Sequence, residues 1–387
     1  MKTNAPASAN ARPPGCSDAP ETVHDVKAQH SDTAGTYYVA ADGTDTANTL
    51  GLDYRALAAE LPYTGPILDV HTHVGTPEAA KLFLEVADLF GVERTYTMTG
   101  LDNARRLHPE FGERIKFICV PDYMKRETPG TFTTQWLKDI ESFRKEFGSK
   151  VIKFWCAPRG RDFAEMSSDS EAADAMLLDS PIRKRGMKLA YDLGYRVFMT
   201  HVGDPDTWFA TDYANASRYG TKLEQFEPLE AALDEYADVT WIGAHMGGYP
   251  EDLDWLQGML DRHPNYVVDT SACKWQIREL SKQPEKFKAF CQRNPGRVLF
   301  GTDIVANQHM NNSIGFDLFA SRFWTLRTMI ETLYDGPSPI VDPDLHKVDP
   351  SVPKHSTTQL RGANMEGELL KQLYYVNAKR ILESADG

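Results

Sequence analysis

A chain of 387 residues with 41% hydrophobic and 25% charged side chains can build one large decorated domain or two ordinary ones, and the composition is that of a soluble globular protein. Its formal charge of −13, with no clustered basic stripe, excludes a nucleic-acid footprint, and no apolar run is long enough to span a membrane. The five cysteines (Cys16, Cys119, Cys156, Cys273 and Cys291) are odd in number and lack CxxC spacing, so neither a disulfide framework nor a thiolate zinc site is indicated and a reducing, cytoplasmic setting is expected.

Residues 1–50 are rich in Ala, Pro, Ser, Thr and Asp and have no apolar signal-peptide core, so they read as a flexible N-terminal arm, with Tyr37-Tyr38-Val39 as a short strand at most. Residues 51–387 read as one unit. Leu52 to Leu61 carries a helical apolar pattern that Pro62 stops. Strand-like and helix-like stretches then alternate, the pattern of a parallel sheet with crossover helices. Eight strands are predicted: Ile67 to Val70, Arg94 to Met98, Ile115 to Val120, Val151 to Trp155, Arg196 to Thr200, Thr240 to Ala244, Tyr266 to Thr270 and Val298 to Thr302. The intervening helices are placed near Glu78 to Phe90, Asp102 to Phe111, Thr134 to Phe147, Asp174 to Leu193, Pro228 to Tyr236, Pro250 to Arg262, Pro284 to Gln292 and Phe316 to Leu333. Gly91, Gly112, Gly148 and Gly194 follow four of them, where a left-handed C-cap favours glycine. The fold class is therefore α/β, a (β/α)8 TIM barrel with an N-terminal arm and a C-terminal helical extension.

Three segments exceed a minimal barrel. Residues 204–227, rich in Trp, Tyr, Phe and Asp, follow the fifth strand and read as a rim insertion or lid over a pocket. Asp303 to Ile314 is polar and lies at the same mouth. Residues 335–358, with five prolines, read as an extended strap that forms neither regular helix nor central strand, and a closing helix is predicted from about Glu366 to Leu382.

The chemistry collects at strand ends. His71 and His73 close the first strand, and alternation puts both on one face, able to close on one ion. His201, His245 and Asp303 sit just past the fifth, sixth and eighth strands, where a (β/α)8 barrel gathers its active-site groups. Lys153 interrupts the apolar fourth strand, and a buried lysine is costly unless paired or modified, so it is read as paired with a rim carboxylate or contacting a substrate carboxylate. Arg159 and Arg161 follow on the next loop, suited to a substrate carboxylate, while Trp155, Trp208, Phe209, Tyr213 and Trp275 suit a planar or apolar ring. Asp269 is read as packing or hydrogen-bonding rather than reacting.

Asp69-Val70-His71-Thr72-His73, Thr200-His201, Gly243-Ala244-His245-Met246-Gly247-Gly248, Val298-Leu299-Phe300-Gly301-Thr302-Asp303 and Asn377-Ala378-Lys379-Arg380-Ile381-Leu382 together resemble the amidohydrolase superfamily, in the branch that includes aminocarboxymuconate-semialdehyde decarboxylase and resorcylate-type decarboxylases. The resemblance covers about Ile67 to Leu382. It implies metal ligands at His71, His73, His201 and Asp303, with His245 beside the water and Asp303 also accepting a proton. It implies one divalent ion, Zn2+ first and Mn2+ second; carboxylation of Lys153 to bridge two ions is the alternative. The expected activity is a metal-dependent hydrolase acting on a C–N or C–O acyl bond of a small amide, lactone or ester. A non-oxidative decarboxylase of a small aromatic or unsaturated carboxylic acid is the alternative, and a non-catalytic metal-binding barrel a third reading. The expected partner is a small-molecule substrate, with no nucleic acid and no membrane, and a homodimer is left open.

Overall fold

The computed structural model describes residues 45–165, 167, 174–307 and 313–383. Most of the N-terminal arm, including Tyr37-Tyr38-Val39, and the tip of the loop after Asp303 lie outside the described residues. Eight parallel strands follow the order of the chain: β1 Ile67–Val74, β2 Val92–Met98, β3 Ile115–Ile118, β4 Val151–Trp155, β5 Val197–His201, β6 Thr240–Gly243, β7 Tyr266–Asp269 and β8 Val298–Leu299. They form two runs, β3-β2-β1 and β4-β5-β6-β7-β8. Backbone hydrogen bonds join the runs at both seams. Cys119 N–H donates to Val151 O at 3.0 Å and Lys153 N–H to Cys119 O at 2.9 Å, while Val70 N–H donates to Phe300 O at 3.0 Å and Asp303 N–H to His71 O at 2.8 Å. The strands thus close into a (β/α)8 barrel.

A ninth short strand, β9 (Ile304–Ala306), escaped the sequence reading, which placed it in a polar loop. It continues the eighth strand's path and pairs parallel with the end of β1, Thr72 against Ile304 and Val74 against Ala306. Asp303 stands between β8 and β9 with φ +59°, in the left-handed region. A non-glycine residue held there is strained, and the other strained non-glycines include His245, Met246 and Ala272, all just past β6 or β7. Strain is therefore concentrated where the ligand-bearing strands end.

The helices form for local reasons and bury one face each. Pro77–Leu89 begins with proline at its first turn, the Thr76 hydroxyl capping Ala79 N–H, and buries Ala79, Ala80, Phe83, Val86 and Ala87. Phe83 packs against Phe319 and Phe323 of the helix Ser313–Glu331. Thr134–Phe147 ends at Gly148 in the left-handed conformation, as do the turns at Gly91 and Gly194, whereas Gly112 keeps φ −59° and ends its helix without that device. The helix expected from Asp174 begins only at Pro181, because the Ser180 hydroxyl caps Arg183 N–H there.

The strap also differs from its expectation. Asp335–Val341 and Thr357–Arg361 pair as a two-stranded antiparallel ribbon, β10 and β11, with a six-residue helix Pro343–Val348 between them. A ribbon tolerates proline where a central strand would lose a ladder bond, and Pro343 sits at the first helical position, where no donor is needed. The closing helix is Gly367–Lys371 continued by two π-helical turns, Gln372–Val376 and Lys379–Glu383. No helix of the described residues is long and apolar enough to cross a membrane.

Candidate active site

The mouth is built from the ends of β1, β4, β5, β6, β7 and β8. His71, fully buried, donates from Nδ1 to Asp269 Oδ2 at 2.8 Å, which turns its Nε2 toward the mouth. His73 is two residues on and presents its Nε2 3.1 Å from Asp303 Oδ1. The same Asp303 oxygen lies 3.3 Å from His71 Nε2. Two imidazole nitrogens and one carboxylate oxygen therefore converge, within 4.8 Å of one another. Asp69 underpins this corner: Oδ2 accepts from the Thr302 hydroxyl at 2.7 Å, and Oδ1 from the amides of His71 and Thr302. That tie holds β1 to the turn carrying Asp303. Burial raises Asp69 to about 7, against the hydrogen bonds from Thr302 and His71 that favour its ionised form.

A cation already stands at this point. Lys153, on β4, places Nζ 2.8 Å from His71 Nε2. Burial lowers its pKa to about 8, although Asp303 and Asp269 pull the other way. Burial tends to raise Asp303, but the imidazoles of His71 and His73 outweigh it and hold the carboxyl well below the usual range. Burial pushes His73 down to about 4, so its imidazole is neutral. His245 is driven well below its ordinary value by burial and by His201. The neutral imidazoles of His73 and His245 beside the ionised Asp303 are the donor chemistry of a divalent cation site. The residues fit a metal.

The structure does not bring every sequence-predicted residue to that corner. His201 presents Nε2 to Asp204 Oδ1 at 2.9 Å, and its ring meets His245 at a centroid distance of 4.4 Å rather than joining the His71, His73 and Asp303 atoms. His245 lies 5.0 Å from the His71 ring and 6.0 Å from Trp275. Arg159 pairs with Asp212 and lies over Trp208, whose Nε1 is taken up by both oxygens of Asp344 at 2.9 Å. Trp208 thereby fastens the rim insertion to the helix Pro343–Val348, and Arg159 fastens it to the loop after β4. Arg278 completes that junction through Asp342, Asp344 and Glu279.

Other rim groups stand open. Trp155 closes β4 two residues past Lys153, on the same face, and its buried Nε1 has no partner among the described residues. One buried guanidinium nitrogen of Arg161 has no hydrogen-bond partner among the described residues. Arg126, after β3, is missed by the sequence reading because it follows Met124-Lys125 in what reads as a solvated turn. Its guanidinium lies 5.8 Å above Phe163, which packs at 4.9 Å on Trp155, and its buried Nε is likewise unpartnered. Ser271, also missed, contacts both His71 and His245.

A closed (β/α)8 barrel with imidazoles and a carboxylate at its strand ends defines the class of protein: a scaffold that gathers polar, ligand-type side chains on its C-terminal rim. The amidohydrolase family profile matches residues 102–382, and the chain belongs to that family. The match begins after β1, so the His71 and His73 pair lies outside it. No curated protein sequence matches. Among solved structures, an Agrobacterium tumefaciens protein, ATU3138, in apo form aligns at 12% identity over 68% of this chain and 89% of its own, TM-score 0.41. An amidohydrolase II aligns at 11% identity over 82% of this chain and 100% of its own, TM-score 0.46.

Proposed function

We propose that the protein is a metal-dependent hydrolase of a small ester, lactone or amide that carries a negative charge. The observation that supports this most is the convergence of His71 Nε2 and His73 Nε2 on one oxygen of Asp303. His71, His73 and Asp303 would hold one divalent ion, with Zn2+ preferred and Mn2+ second, and His201 would complete the set by exchanging Asp204 for the ion. When bound, the ion supplies acidification of water toward neutrality and polarisation of an acyl oxygen. Asp269, by holding the proton on Nδ1, leaves the His71 Nε2 lone pair available to such an ion. Asp303, ionised, takes the proton released by the attacking water, and neutral His245 faces the reacting atoms from β6. Arg126 and Arg161 would bind a substrate carboxylate, and Trp155 would stack on the acyl portion.

The same open guanidiniums favour a second reading, decarboxylation of a small aromatic or unsaturated acid, in line with the decarboxylase branch that the sequence motifs resemble. Metal analysis of protein purified without added ions, followed by a panel of anionic lactones, esters, amides and aromatic acids, tests both. The hydrolase reading predicts one tightly bound divalent ion per chain and consumption of water; release of carbon dioxide replaces it with the decarboxylase. Absence of any turnover by metal-loaded protein, with His245→Asn and Asp303→Asn no different from wild type, refutes both.

A further inference from the structure

The floor of the mouth contains a hydroxyl with three close polar neighbours. Ser271, fully buried just past β7, places Oγ 2.7 Å from His245 Nδ1, 3.0 Å from His71 Nδ1 and in hydrogen-bond contact with Asp269 Oδ1. Asp269 collects donors from all sides. Oδ2 accepts from His71 Nδ1–H at 2.8 Å, and Oδ1 accepts from the amides of His245 at 2.9 Å and Ser271 at 3.0 Å. A carboxylate so surrounded is ionised and only accepts.

The hydrogen bond between Ser271 Oγ and Asp269 Oδ1 decides where the serine proton lies. An ionised carboxylate only accepts, and a charge-assisted bond outcompetes a neutral one. Ser271 therefore donates to Asp269. Its oxygen, left without a proton to give, must accept at 2.7 Å from His245, so Nδ1 of His245 carries the hydrogen. The opposite assignment, with Ser271 donating to His245, would leave the contact with Asp269 without any proton. His71 falls in the same pattern: its Nδ1–H is bound by Asp269, and Lys153 donates to its Nε2.

We propose that Ser271 is a positioning residue that, through Asp269, locks His245 in the Nδ1–H tautomer and so leaves Nε2 as an acceptor on the side of the ring away from the barrel floor. His245 then serves by offering a lone pair at Nε2, and not by donating a hydrogen bond to an anionic intermediate. The role in turnover rests on the proposed hydrolase reading; the tautomer does not. Side-chain 15N spectroscopy of the full-length chain, with His245 assigned by comparison with His245→Asn, separates the two. Wild type is expected to show a protonated, pyrrole-type Nδ1 and a pyridine-type Nε2 at His245, before and after Zn2+ is added. Ser271→Ala is expected to shift both resonances toward the Nε2–H form and to lower Zn2+ affinity or kcat by about 10–100-fold. A protonated Nε2 in wild type overturns the proposal even where Ser271→Ala fails to fold, and so does a folded Ser271→Ala protein with unmoved resonances. The expected resonances in a protein that turns over nothing leave the tautomer standing and remove the hydrolase reading instead.

Discussion

Replacing Lys153 with methionine should stabilise the metal-free protein at neutral pH. Burial lowers the lysine from 10.5 to about 8, and at 1.36 kcal/mol per pH unit that gap is a penalty of about 3 kcal/mol for holding the ammonium in the barrel. Methionine has similar volume and no charge, and removing the hydrogen bond to His71 Nε2 gives back about 1 kcal/mol, so a net gain of about 2 kcal/mol is expected at pH 7. The pH dependence follows from the proton count. Between pH 8 and 10.5 the unfolded chain binds the lysine proton and the folded chain releases it, so wild-type stability rises with pH through that window. The advantage of Lys153→Met is therefore full below about pH 8 and gone above about pH 10.5. Urea unfolding of both chains in chelator, at pH 7 and pH 10, measures the difference, and titrating groups distant from position 153 cancel in the comparison. A Lys153→Met protein less stable than wild type at pH 7 would refute the reasoning, because it would mean that Asp303 and Asp269 hold the ammonium at a profit.

In wild type, a divalent ion competes with that ammonium, so calorimetry in buffers of different ionisation enthalpy should show proton release on Zn2+ binding and affinity rising from pH 6 to pH 8. Asp303→Asn removes the carboxylate shared by His71 and His73 and should cost at least 100-fold in Zn2+ affinity while the far-UV spectrum is kept; unchanged affinity would place the ion elsewhere. Asp344→Ala deprives Trp208 Nε1, Thr207 and Arg278 of a buried acceptor, for a loss of about 3 kcal/mol, with hydrogen exchange rising in residues 206–226 first; uniform exchange across the barrel would contradict this. Gly243→Ala drives a methyl to 2.0 Å from the Tyr266 hydroxyl oxygen and should destabilise by about 1–3 kcal/mol, eased in part by Tyr266→Phe; denaturation midpoints of the single and double variants check it.

The barrel was legible because each strand is a short apolar run bounded by turn residues, and because His71, His73, His201, His245 and Asp303 all fall at the end of one. Strand position sets which face a residue occupies, but not which way its ring turns. His201 shows the difference: its Nε2 is directed by Asp204, three residues on, and nothing in Thr200-His201 announces that bond. Trp208 reads as a mouth aromatic, yet its indole is bound by an aspartate 136 residues away. Such long-range pairing leaves no local trace. Ile304-Val305-Ala306 is too short and too polar in its surroundings to register as a strand until β1 is there to pair with it. Ser271 resembles any serine, and only the placement of Asp269 and His245 around it gives it a chemical role.

The seam between β1 and the end of β8 carries His71 and His73 on one side and Asp303 on the other. A species with the first seven strands in place but the ring still open lacks the proposed ion site, so cation binding there would report the last act of folding. Whatever binding energy the ion supplies acts as a clasp across that joint, stabilising the finished cylinder by mass action over every incomplete one.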